Sequence, residues 1–368
     1  MKSANSISGA FYAIKYNILL CSFVLPLNAW ADTPITPNGG TVSQETLTLP
    51  VIEQSADSEL SLSPPSPVIE EEVENATKVL INSIVFKGSA AISRDVLDKE
   101  VIDELAVKHS FISLQRIAAK ILGLYQQQGY LMAQVYLPEQ SLKNATLQIN
   151  INEGLLGKIN IEQAGQLKSS VAQRMTNTLQ GKVLNSAQLE RKIRLLSDLP
   201  ATKVRFVFEP SEKEGYADLN IITSDAKSNK GYLSIDNHGN RHIGGSRLSA
   251  QYNVNNTLGF GEQFTFNFAS SGENYNYLGL GASVPIGGDG LILSSRITAT
   301  KYKLGDIFKA LDADGTNKQL DLQLRYPLIR SLHKNINITA AFKRQNFEDN
   351  VGLHSQSSAK YIKNFKLT

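Results

Sequence analysis

From about residue 228 onward, apolar and polar residues alternate one by one, and no helical spacing interrupts them. Leu248, Ala250, Tyr252 and Val254 alternate with Ser249, Gln251 and Asn253, and Phe264, Phe266 and Phe268 with Thr265 and Asn267. Leu278, Leu280, Ala282 and Val284 alternate with glycine and serine, and Leu320, Leu322, Leu324 and Tyr326 with Asp321, Gln323 and Arg325. Successive strand residues point to opposite faces, so each segment has one oily face and one polar face. In "NINITAAF", residues 335–342, the oily face is Ile336, Ile338, Ala340 and Phe342. Roughly eight such segments follow one another, each long enough to cross a tilted bilayer barrel.

The connections carry a pattern of their own. "NNTLGFGE", "PIGGDG" and "IRSLHK" are turns on the side nearest the preceding residues, while "KLGDIFKALDADGTNK" and "EDNVGLHSQSS" read as longer loops on the far side. Short turns on one rim and longer loops on the other suit an outer-membrane barrel. A soluble β-sandwich with its oily faces packed together is the competing fold. In the barrel the Ile-Ala-Phe face of 335–342 meets lipid and the Asn-Thr face a wet lumen, and the backbone loses its unsatisfied edges only on closure.

The N-terminus carries an export address. Lys2 and Lys15 precede "NILLCSFVLPLNAWA", which ends in Ala29-Trp30-Ala31 and predicts cleavage between Ala31 and Asp32. The single cysteine, Cys21, lies inside this signal, so the mature chain has neither a disulfide nor a thiolate metal site. Export without cysteine suits a bacterial envelope protein. Residues 32–78 contain "LSPPSPVIEEEVE" and read as a flexible acidic, Pro- and Ser-rich linker.

Between linker and strands lie two copies of one pattern. In the first, "INSIVFKG" is a strand with Ile84 and Phe86 on one face. Ser93 caps a helix over "RDVLDKEVIDEL", and Ser113 caps another in which Leu114, Ile117, Ala118, Ile121 and Tyr125 share a stripe. Gly129 ends that helix, and "AQVYLP" and "NATLQININEG" are the closing strands. "GKINIEQA", two helices including the row Val171, Met175 and Leu179, then "TKVRFVFEP" and "YADLNIITSD" repeat the β-α-α-β-β order. The predicted domains are a signal peptide 1–31, the linker 32–78, modules 79–154 and 155–227, and a strand region 228–368.

Catalytic motifs do not appear: there is no H-E-x-x-H, Walker A or G-x-S-x-G. His238 and His242 sit in a predicted outer loop, where contact with solvent accounts for the pair better than a metal site does. The glycines of "LGFGE" and "GGDG" are turn residues with no helix behind them. A net charge of +3 with 19% charged residues gives no nucleic-acid signature. The expectation is a protein that is not an enzyme, uses no cofactor and binds no nucleic acid.

"IVFKGSAAIS", "GLYQQQGYLMAQVYLPEQ", "LQININEG", "LLSDLPATKVRFVFEPSEKEGYADLNI", "LSIDNHGNRHIGGSRLSAQYNVNNTLGFGEQF", "YKLGDIF" and "LRYPLIR" resemble the outer-membrane transporters of two-partner secretion. These are the TpsB, or hemolysin secretion/activation, proteins of the ShlB/FhaC/HecB type. The resemblance implies two tandem periplasmic POTRA domains, an α+β part, followed by an antiparallel transmembrane β-barrel, of which about eight strands, the N-terminal half, are present here. It implies a Gram-negative outer membrane, type V export and activation of a large hemolysin- or adhesin-type exoprotein, and outer-membrane lipid and the barrel-assembly machinery as further partners. Gly129, Tyr130, Leu137, Pro138, Glu153 and Gly154 match the family motif as structural residues. The exoprotein would dock along the first module's sheet edge, near Gln134 and Tyr136, opposite the Leu114–Tyr125 helix. Arg247, Arg296, Arg325 and Lys343 fall on predicted lumen faces as a polar sliding surface.

Two departures stand out. Eight strands are half of the family's 16, and no Val-Arg-Gly-Tyr/Phe loop tip occurs, so a truncated or interrupted gene, or a fragment, is expected. The acidic linker also replaces the family's basic plug helix. Alternative readings are a periplasmic POTRA-only binding adaptor and a small structural eight-stranded barrel.

Overall fold

The computed structural model describes residues 78–367, apart from 214, 227, 228, 273 and 353–355. The predicted signal segment, its expected Ala31–Asp32 cleavage site, residues 32–77 of the predicted linker and Lys227 lie outside the described residues.

The first module is built on β2 (Ser83–Lys87), β4 (Gln134–Tyr136) and β5 (Thr146–Asn152), in the order β2-β5-β4. The last strand takes the centre, parallel to β2 and antiparallel to β4. Its alternation buries Leu147, Ile149 and Ile151, against which helix α2 (Phe111–Gln127) lays its predicted stripe from Leu114 to Tyr125.

Four local expectations need correction. Ser113 does not cap α2: Ser110, with extended backbone, does, its hydroxyl accepting from Ser113 N at 3.2 Å. Helix α1 stops after Arg94–Glu100, because Val101 leaves helical geometry, and continues as a 3₁₀ turn over Ile102–Glu104. Ser93 occupies its N-cap position without a side-chain capping bond. An added antiparallel ribbon pairs β1 (Val79–Ile81) with β3 (Val107–His109), so "INSIVFKG" is divided between two sheets.

Glu153, at the end of β5, locks the module together. One buried carboxylate oxygen accepts from Ala90 N, Ala91 N and the Tyr125 hydroxyl, each at 2.8 Å, tying the β2–α1 loop to α2. Burial, together with that bond to Glu153, pushes the Tyr125 phenol far above its ordinary value. Next to it, Gly154 has φ +71°, and a Cβ there would lie 2.6 Å from Met132 Cβ, so any side chain would displace the neighbouring turn.

The second module repeats the arrangement: β6 (Leu155–Gln163), β7 (Thr202–Pro210) and β8 (Tyr216–Asp225) in the order β6-β8-β7, again with the last strand central and parallel to the first. Helices α3 (Ser169–Thr176) and α4 (Ser186–Ser197) cover it, with Val171, Met175 and Leu179 buried in line. Where the modules meet, the carboxyl end of α2 faces the amino end of α4. Ser186 N donates to Gly129 O at 2.8 Å and Asn185 Nδ2 to Gln128 O at 3.1 Å. Carbonyls left over at one helix end are thus satisfied by donors left over at the other.

The remaining strands form one antiparallel meander. In order they are β9 (Asn229–Asp236), β10 (Arg247–Asn255), β11 (Gln263–Ser270), β12 (Tyr275–Ile286), β13 (Leu291–Lys303), β14 (Ala313–Arg330), β15 (Asn335–Val351) and β16 (Gln356–Leu367). Each pairs with its sequence neighbour, and among the described residues β9 does not pair with β16. The sheet is therefore an open arc, not the closed eight-stranded barrel of the alternative reading.

Its outer face is apolar and uncovered: Ile235, Phe266, Leu278, Ile297, Leu322 and Ile338 are all exposed. Such a belt is stable against lipid and not against water. The far side holds more strand than expected: the first loop is confined to 304–312, and residues 313–318 and 348–351 extend the ladder of β14 and β15. Phe308, on the 3₁₀ turn Asp306–Leu311, packs with Tyr275, Tyr277 and Tyr302 at that end.

Glu153→Ala strands the buried Tyr125 hydroxyl and two partly buried amides, and should destabilise the first module by on the order of 3 kcal/mol. Hydrogen exchange in α2 and β5 of the full chain should rise about 100-fold, with β8 unchanged.

Candidate functional site

Two surfaces can engage another chain: the free edge of β4, and the concave polar face of the large sheet with the second module beneath it.

Among the described residues strand β4 pairs only with β5, which leaves its other side open to an added strand. Of its side chains, Val135 packs toward the helix-covered core, whereas Gln134 and Tyr136 stand exposed on the other face. Sequence reasoning placed the edge but missed Val135, the residue that faces the helix.

The motif residues frame this short strand. Gly129, at φ +89°, turns the chain out of α2, and Tyr130 packs edge-on against Tyr125 with ring centroids 5.8 Å apart. Leu137 joins the core, and Pro138, lacking an N–H, ends the ladder. Beyond it, the Gln140 side-chain amide takes the ladder's place, accepting from Gln148 N at 2.7 Å and donating to Gln148 O at 2.8 Å.

Helix α4 fastens the second module to the near-side turns of the large sheet. Arg191 donates to the carbonyls of Pro327 at 2.7 Å, Asp289 at 3.3 Å and Leu328 at 3.4 Å. Lys192, almost wholly buried, reaches Asp289 Oδ1 at 2.7 Å and Gly288 O at 3.0 Å. Asp198 holds Arg330 through two 2.6 Å bonds, and Glu190 accepts from Arg194 Nε and Leu332 N. From the α3 side, Lys168 lies 3.7 Å from the Phe260 ring centroid. The turns 256–262, 287–290 and 331–334 are all engaged.

These charges look like a solvated helix face in the sequence. One signal was available: Lys192 falls within the apolar row Leu189, Ile193 and Leu196, where a lysine must find a buried partner.

Above the docked module lies an open cavity of about 1270 Å³, floored by Met175, Leu195 and Leu199 and walled by the sheet's inner face. Of the predicted lumen cations, Arg296, Arg325 and Lys343 line this one cavity. Arg247 does not join them: it lies near the far rim, paired with Asp236 at 3.3 Å. The wall is otherwise rich in amides, among them Gln251, Asn253, Gln263, Gln319 and Gln345. Among the described residues no group of His, Cys, Asp and Glu is arranged to hold a metal ion.

Residues 79–154 match the POTRA domain, ShlB-type, and residues 215–365 match the haemolysin secretion/activation protein family ShlB/FhaC/HecB. The heme/hemopexin transporter protein HuxB of Haemophilus influenzae is 29% identical over 271 residues, 72% of this chain and 46% of that protein. The outer membrane transporter CdiB of Escherichia coli is 24% identical over 197 residues, 54% of this chain and 33% of that one. The chain thus spans less than half the length of these relatives. In solved structures, CdiB from Escherichia coli matches with a TM-score of 0.68 at 20% identity, covering 81% of this chain and 57% of that one. CdiB from Acinetobacter baumannii matches at 0.61 and 17% identity, covering 84% and 61%. At such identities the likeness establishes the fold.

Two outcomes test the docking. Arg191→Ala should weaken it by about 2 kcal/mol, raising hydrogen exchange at 287–290 and 328–332 while leaving β5 unaffected. Acid should act in the same direction. The bond from Lys192 holds the Asp289 carboxyl below its usual range; burial opposes ionisation of Glu190, but bonds from Arg194 and Leu332 N outweigh it. Both folded-state values are depressed, so their contribution is complete above the ordinary carboxylate value of about 4 and lost as pH falls through the lower folded values. Exchange at 287–290 should rise below that pH and stay flat above it.

Proposed function

The chain belongs to the ShlB/FhaC/HecB family of outer-membrane proteins with periplasmic POTRA domains, and from that premise we propose that it serves as the translocator of a two-partner secretion system. In this reading it exports and activates a large hemolysin- or adhesin-type exoprotein. The observation that carries the proposal is the direct docking of the second module under the polar concave face. A chain captured on β4 would be handed from the modules to a wet, amide-lined wall.

Capture requires no catalyst. An extended segment adding to β4 would satisfy that strand's outer backbone groups and its own, and its alternate side chains would lie beside Val135 on one face and Gln134 and Tyr136 on the other. Passage draws on the inner face, where Gln, Asn and Thr side chains offer both donors and acceptors to an unfolded backbone. Sequence-neutral contacts of this kind suit movement better than tight binding.

The test is site-specific photocrosslinking in cells that co-express the exoprotein. A photoreactive residue at Gln134 or Tyr136 should capture the exoprotein, and one at the exposed Lys99 of α1 should not. Equal capture at the three positions would contradict docking on the β4 edge.

A further inference from the structure

Of the four cations that line the cavity, Arg296, Arg325, Arg330 and Lys343, only Arg330 has an ion-pair partner among the described residues. Arg247 is held by Asp236 and Arg330 by Asp198, so both are neutralised within the fold. Arg296, Arg325 and Lys343 line the same cavity, and among the described residues none forms an ion pair. One carboxylate shares their strands: Asp321 stands opposite Arg296 on β13 and opposite Lys343 on β15. It accepts the Gln319 side-chain amide at 2.6 Å. The four groups together leave a net positive charge. The amides around them both donate and accept and so do not distinguish the sign of a guest's charge. A concave wall with low-dielectric backing concentrates the field of the charges that remain.

We propose that the concave face prefers acidic segments of an extended polypeptide, through Arg296, Arg325 and Lys343. The inference rests on the reading that an exoprotein passes along this face, and adds the charge of the segments it retains. An Asp or Glu on a passing chain would meet guanidinium or ammonium groups that form no ion pair with Asp321 or any other described carboxylate, whereas a Lys or Arg would meet like charge. In such pairings the guanidinium groups bind carboxylate in a fork and Lys343 acts as a point charge.

The experiment uses the full chain in detergent micelles and fluorescence anisotropy with labelled, unstructured peptides of roughly 25 residues, able to span the face. Three peptides differ only in carrying Asp, Asn or Lys at every third position. At low salt the Asp peptide should bind about three- to tenfold more tightly than the Asn peptide, and the Lys peptide more weakly than either. The advantage should shrink with a screening length of about 10 Å at 0.1 M salt. The triple substitution Arg296→Gln, Arg325→Gln and Lys343→Gln should abolish the preference while keeping the affinity for the Asn peptide. Arg325→Glu should move the preference toward the Lys peptide, a shift that misfolding cannot produce. Equal binding of the Asp and Asn peptides, or a preference surviving the triple substitution, would overturn the proposal. Binding is read here without secretion, so failed exoprotein capture at β4 would sink the translocator reading and leave this result to stand or fall separately.

Discussion

A backbone amide placed in hydrocarbon has no water to bond, and leaving it unpaired costs several kcal/mol. The long meander meets that constraint by pairing each strand with its sequence neighbour, from β9 through to β16. Once the ladder is fixed, the two-residue period decides the rest. Every second side chain faces outward, where Ile297 and Leu322 suit lipid, and every other one inward, where Gln319 and Gln345 suit water. The outermost edges of β9 and β16 are where the described residues leave the pairing incomplete.

A sheet of this kind is rigid enough to serve as a platform, and its near-side turns are the fastening points. The second module uses charge there beside the apolar contact of Leu195 and Leu199: Arg191 reads backbone carbonyls, Lys192 is buried against Asp289, and Asp198 grips Arg330 in a fork. Such contacts demand geometry and so set the module's orientation. The first module is attached in turn by the meeting of α2 and α4 at Gly129 and Asn185. Together these two joints link the β4 edge to the cavity wall.

Much of this was legible in the residues. Leu320, Leu322 and Leu324 announce a strand and its outward face, and Leu114 to Tyr125 announce a helix and its buried stripe, because local period and burial coincide there. Choices between near neighbours were not legible. Ser110 and Ser113 are both good caps, and only the extended backbone at Ser110 separates them. The β1–β3 ribbon joins two segments too short to carry a period. In the site, the position of β4 followed from pattern, but which of Gln134, Val135 and Tyr136 faces the helix depended on packing. The α4 charges hid because partners distant in sequence do not show as a pattern. Arg247 sits on a predicted lumen face, yet Asp236 holds it near the far rim, away from the cavity.

The central claim is that one face of the sheet meets lipid and the other water. Since the one cysteine, Cys21, lies in the predicted signal segment, single cysteines placed in turn at positions 335–340 can be probed with a membrane-impermeant, water-soluble thiol reagent in outer membranes. Labelling should alternate, strong at Asn335, Asn337 and Thr339 and weak at Ile336, Ile338 and Ala340. Labelling without a two-residue period, or strongest at the isoleucines, would contradict it.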